Sequence, residues 1–167
     1  EPSALPGVHY GTLARHDDQR GTFTELWRAS DPATGAGSFV QANLSTSSPG
    51  VLRGLHLHRR QLDYWVVVAG RAFVALVDAR PQVGGSLGPA AVETRELRTG
   101  DGVVIPAGVA HGFLALEALQ LLYLVTNEYD GSDELGFAWD DPAVGVPWPL
   151  VPGATDGRPI LSDRDRS

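Results

Sequence analysis

Apolar and polar positions alternate with a period of two over much of this chain, and the 3.6-residue period of a surface helix is scarce. Thr22–Arg28 reads as a strand with Phe23, Glu25 and Trp27 on one face. Phe39–Leu44 reads as another, with Gln41 and Asn43 on one face. Arg71–Asp78 is apolar on both faces, the pattern of a central strand covered on two sides. Val92–Leu97 alternates as a half-exposed strand. Leu119–Thr126 is a further strand, with Tyr123 in register with Leu119 and Leu121. Gly100–Gly112 reads as a turn, a short buried strand and a second turn that presents His111. Glu1–Leu13 is a loop and a short strand, Asp17–Gly21 a turn and Pro81–Pro89 a loop. Short helix is expected around Ser30–Ala36 or near the C-terminus. Asp130–Pro149 is a long arm bearing tryptophan and proline, and the chain ends in the polar ILSDRDRS. About nine short strands with tight turns predict an all-β sandwich or barrel.

The richest stretch is Val51–Gly70, VLRGLHLHRRQLDYWVVVAG. Arg53, His56 and His58 are read here as one group. In an extended segment His56 and His58 point to one face, Leu55 and Leu57 to the other. Two imidazoles on a surface flanked by apolar strand form a site-like pattern. Histidines on a strand also occur as half-buried, hydrogen-bonded structural groups. His111, in a similar setting later in the chain, favours a site.

Composition narrows the picture. The 167 residues fit one domain, 1–167, and 43% hydrophobic content suffices for a core. The net charge of −7 argues against a nucleic-acid partner, although a few focused arginines could hold an anionic ligand. There is no cysteine, hence no disulfide, thiol nucleophile or zinc-thiolate site. No apolar run is long enough to span a membrane. No signal peptide is visible, the lack of methionine suggests a trimmed start, and cytoplasm is the default compartment.

Two segments resemble the two motifs of the cupin pattern. The first runs Gly50, His56-x-His58, four residues, Asp63, six residues, Gly70. The second runs Gly100, five residues, Pro106-x-Gly108, two residues, His111. Their linked spacings imply a double-stranded β-helix, a jelly-roll barrel with short peripheral helices. A narrower resemblance runs almost end to end. DQRGTFTE (18–25), FVQANLS (39–45), VLRGLH (51–56), IPAGVAHGF (105–113), LLYLVTNEY (121–129), ELGFAWDDPAVGVPWP (134–149) and LSDRD (161–165) are similar, in order, to the dTDP-4-dehydrorhamnose 3,5-epimerase family.

That resemblance implies a cofactor-free isomerase acting on a nucleoside-diphosphate 4-keto-6-deoxy sugar. A base removes a proton beside the ketone, and an acid returns one to the opposite face. His56 would be the base, Asp165 the carboxylate that orients it and Tyr123 the acid. His58 and His111 would line the same pocket. Arg20, Glu25, Gln41, Asn43 and Arg53 would hold the nucleotide, with Tyr129 stacked on its base. The N-terminal strand would reach into a partner subunit, which implies a homodimer.

Two departures stand out. The family's lysine near the keto oxygen falls on Asp63, and Glu128 replaces the first of two aromatic residues, leaving Tyr129. Three other readings compete. His56, His58, Asp63 and His111 could ligate a metal in a cupin metalloenzyme. A 3,4-ketoisomerase of the same sugars also carries an HxH pair after Arg-Gly. A non-enzymatic sugar- or nucleotide-binding cupin is the last.

Overall fold

The computed structural model describes residues 3–31, 39–85, 88–149 and 157–166. Two five-stranded antiparallel sheets face each other as a jelly-roll barrel. The first sheet runs β1 (His9–Thr12), β9 (Asp101–Ile105), β6 (Asp63–Ala69), β11 (Leu119–Val125), β4 (Gln41–Ser47). The second runs β12 (Leu135–Gly136), β5 (Leu52–Leu57), β10 (Val109–Ala115), β7 (Arg71–Asp78), β8 (Ala91–Arg98). Among the described residues a separate hairpin, β2 (Arg15–Asp18) and β3 (Gly21–Thr24), pairs only with itself.

Three apolar clusters explain why several strands lack simple alternation. The barrel interior is filled by Val67, Val74, Leu76, Val103, Ile105, Phe113, Leu119 and Leu121. The outer face of the second sheet, with Leu55, Leu57, Ala75 and Val77, is covered by Phe137, Val144, Val146 and Trp148 of the C-terminal arm. The outer face of the first sheet, with Tyr64, Val66 and Val104, is covered by Leu13, Leu26, Trp27 and Phe39. Strands buried on both faces carry apolar residues at successive positions. Among the described residues no helix is long and apolar enough to cross a membrane.

The elements differ from expectation in four places. The strand expected over Thr22–Arg28 stops at Thr24, because the hairpin has no sheet to join. Phe23 is exposed, whereas Trp27 folds back onto the first sheet, so the two do not share a face. His111 lies inside β10, whose seven residues are all buried, rather than in a turn. Part of the expected loop after Asp78 forms a one-turn helix, α1 (Arg80–Val83), with proline in its first turn, where the missing N–H costs nothing. Most of the helix expected at Ser30–Ala36 lies outside the described residues. Near the C-terminus the expected helix is a 3₁₀ turn over Arg164–Arg166.

Candidate functional site

A cavity of about 400 Å³ opens between the sheets at one end of the barrel. The same inward-facing strand positions that carry Val67, Ala115 and Leu119 in the dry half carry polar groups here. β4 supplies Gln41, Asn43 and Ser45, β6 supplies Asp63, and β11 supplies Tyr123. From the opposite sheet come Arg53 and His56 on β5 and His111 on β10. His58, Gln61, Tyr129, Glu134 and Arg164 close the rim.

Arg53 and His56 are three apart, so strict alternation would put them on opposite faces. A bulge brings them together. His111 opposes His56 and Phe113 opposes Arg53, so that between these pairs one residue on β10, Gly112, faces two on β5, Gly54 and Leu55. Gly54 makes this possible. Its φ is +124°, and a Cβ there would lie 2.6 Å from the Cα of Gly112, so no other residue fits.

His56 is partnered by the distant tail. Its Nε2 donates to Oδ1 of Asp165 at 2.9 Å, which leaves the lone pair of the neutral ring on Nδ1. Asp165 is itself fixed: its other oxygen accepts from the Ser162 hydroxyl at 2.7 Å. The tail is held in place by pairing with the start of β5, where Leu52 N donates to Ile160 O and Ile160 N donates to Gly50 O. One side of the cavity thus joins β5, from the first half of the chain, to the C-terminal tail.

Tyr123 stands on the opposite wall, half-buried. Burial raises its phenol above the ordinary value. Arg53 opposes that rise, and Asp63 and Glu134 reinforce it. A phenol held protonated at neutral pH is a proton donor.

His111 and Asp63 meet across the two sheets, with Nε2 3.3 Å from Oδ2. The spacing is that of an ion pair, yet burial drives both groups toward their neutral forms. Burial lowers the His111 imidazole to about 3, with repulsion from His58 adding to it and a hydrogen bond to the Val109 carbonyl opposing it. Burial pushes Asp63 up to about 6, against His58 and the Gln61 amide, which pull it down. Trp65 packs edge-on against His111, with ring centroids 5.1 Å apart.

His58, Asp63 and His111 each offer a ligand atom within 4.8 Å of the other two, and could hold a metal. His56, the fourth member of the metal set expected from the sequence, is not in this group.

Gln41 and Asn43 form one amide pair: Gln41 Nε2 donates to Asn43 Oδ1, and Gln41 Oε1 accepts from the backbone of Tyr129. Arg53 reaches Ser47 Oγ and the Thr46 carbonyl. Arg20 and Glu25 do not line the cavity. They sit at the exposed hairpin, paired with Asp18 and Arg28. Sequence reasoning missed Glu134 and Arg164, which pair with each other at the rim beside His56 and Tyr129. Burial acts to raise Glu134, but Arg164, His56 and the Tyr129 hydroxyl outweigh it and hold its carboxyl below the usual range. Both residues lie inside stretches singled out above, but their pairing spans thirty positions and leaves no local signal.

The family model for dTDP-4-dehydrorhamnose 3,5-epimerase matches residues 2–167. A dTDP-4-dehydrorhamnose 3,5-epimerase of Pseudomonas aeruginosa is 39% identical over 172 residues, covering 98% of this chain and 90% of that protein. Among solved structures, the Mycobacterium tuberculosis rmlC epimerase superposes with a TM-score of 0.84 at 36% identity, covering 98% of this chain and 84% of that one. ChmJ, a 3'-monoepimerase from Streptomyces bikiniensis in complex with dTDP-quinovose, superposes with a TM-score of 0.83 at 29% identity, covering 98% and 83%.

Proposed function

Because this chain belongs to the dTDP-4-dehydrorhamnose 3,5-epimerase family, we propose that it is an isomerase that inverts one or both carbons flanking the ketone of a dTDP-linked 4-keto-6-deoxy sugar. One observation carries the reading. A carboxylate-supported imidazole and a protonated phenol stand on facing sheets of a single cavity. A ketone makes the adjacent C–H acidic, since the carbanion delocalises into an enolate. His56 takes that proton on Nδ1, and Asp165 stabilises the imidazolium that results. Tyr123 then delivers a proton from the other wall. Removal from one face and return to the other inverts the carbon.

Arg53 is the cation placed to receive a diphosphate, while the Gln41–Asn43 amide pair and Tyr129 supply polar edges and a ring for a base. The projecting hairpin supports a homodimer in which Arg20 and Glu25 reach the partner's cavity. A cytoplasmic site of action fits a nucleotide-linked substrate.

Incubation with dTDP-4-keto-6-deoxyglucose in deuterated buffer tests the reaction. Deuterium should enter at C3, C5 or both, and its position states which centres react. A substrate recovered without deuterium would refute the proposal. Light scattering tests assembly: a monomer at micromolar concentration would remove the hairpin from the site.

A further inference from the structure

Three acceptors converge on one wall of the cavity. His58 Nδ1 lies 2.8 Å from the carbonyl of Asp133, and His111 Nδ1 lies 3.1 Å from the carbonyl of Val109. A carbonyl cannot donate, so each Nδ1 carries its hydrogen and each neutral ring offers its lone pair on Nε2. Between the sheets stands Asp63, 2% exposed. Its Oδ1 accepts from the Gln61 amide at 2.9 Å, while its buried Oδ2 has no hydrogen-bond partner among the described residues. A buried carboxylate oxygen facing imidazole lone pairs is costly unless positive charge lies among them.

We propose that His58, Asp63 and His111 form a binding site for one divalent transition-metal ion of the zinc, cobalt or iron(II) class. Two imidazoles and one carboxylate are the donor set such ions take, and three protein ligands leave coordination positions open toward the cavity. The spacing fits. Ligands about 2.1 Å from an ion sit roughly 3.0–3.4 Å apart in octahedral or tetrahedral geometry, and His111 Nε2 lies 3.3 Å from Asp63 Oδ2. The third ligand lies within 4.8 Å and closes in by a small side-chain movement.

The outer supports are also those of a metal site. Each imidazole is oriented by a backbone carbonyl behind it, which fixes the tautomer that can ligate. The loop bearing His58 is pinned by the Asp133 carboxylate, which accepts from the backbone N–H groups of Arg59 and Arg60. His56 stays outside the set, its Nε2 engaged by Asp165. The role of the ion, unlike its binding, rests on the proposed function: it would face the keto oxygen and oppose the charge of the enolate.

The test uses the full chain, stripped with a chelator and titrated with Co²⁺ and Zn²⁺. Visible absorption of bound Co²⁺ and isothermal titration give the stoichiometry, and one ion per chain is expected. Asp63→Asn keeps the shape and removes the charge, and should weaken binding at least about 100-fold, as loss of a ligand exceeds loss of an outer support. His58→Ala, at the more exposed position, should do the same if the first variant does not fold. His56→Ala should leave the affinity and the Co²⁺ spectrum unchanged. Absence of saturable binding, binding indifferent to both Asp63→Asn and His58→Ala, or binding lost in His56→Ala would each overturn the site. The deuterium assay is read separately. Exchange without metal binding sinks only the site, and metal binding without exchange sinks only the reaction.

Discussion

The cavity holds two histidine–carboxylate pairs of the same composition and opposite character. In the His56–Asp165 pair the imidazole side chain is 29% exposed and the carboxylate is supported by a serine hydroxyl. In the His111–Asp63 pair both side chains are almost sealed, at 6% and 3%. The first pair is open to solvent on the imidazole side and holds that ring against a fixed carboxylate. In the second, burial penalises charge on either partner, so His111 resists a proton while Asp63 takes one more readily than an ordinary carboxylate. Identical chemical groups thus stand in opposite settings, one reached by solvent and one sealed between the sheets, and solvation separates their chemistry.

The strongest way to break this comparison is His56→Ala. Solvent exchange should fall by about 1,000-fold or more at every reacting carbon, the upper reach of a positioned base. If deuterium wash-in persisted at the native rate, the base would have to be sought elsewhere, with Asp63 as first suspect. Asp165→Asn should cost about 100-fold in turnover, since the amide cannot stabilise the imidazolium. A native rate in that variant would mean that the 2.9 Å contact only holds the tail.

Tyr123→Phe sharpens the assignment in a different way. Deuterium should still enter, because the base survives, while the inverted product fails to accumulate. Loss of both exchange and inversion would remove the division of labour between the two walls.

The smallest effect concerns pH and belongs to the inner pair. In metal-free protein the His111 ring signals should stay constant from pH 8 down to about 5 and move only toward pH 3. The unfolded chain protonates this imidazole near 6.5, so its contribution to stability is lost as pH falls through that window. Asp63, raised from 3.8 to about 6, works in the other direction. Its contribution is present below about 4 and is lost as pH rises through 6. The two partly cancel. Asp63→Asn should therefore make the acid-side loss of stability steeper in chemical denaturation, and an unchanged pH slope would argue against the coupling.

Much of the barrel was legible from local pattern. Arg71–Asp78 and Leu119–Val125 form strands where their apolar positions say they should, because side-chain direction in a strand depends only on parity. The strand Val109–Ala115 was hidden by its glycines, which suggested turns. Gly112 is there instead because a Cβ would press to 2.9 Å against the Arg53 carbonyl at the bulge. The hairpin failed in the other direction. Residues beyond Thr24 alternate like a strand but find no neighbouring edge to pair with.

The sequence by itself determined most of the strands and the histidines and carboxylates available for chemistry, since those follow from residue type and a period of two. Only the tertiary structure decided how they pair. Asp165 reaches His56 because the tail docks on β5, and Asp63 reaches His111 because the sheets close over one another. What drives His111 and Asp63 toward their neutral forms is burial, a property of the closed barrel that is absent from any single stretch of chain.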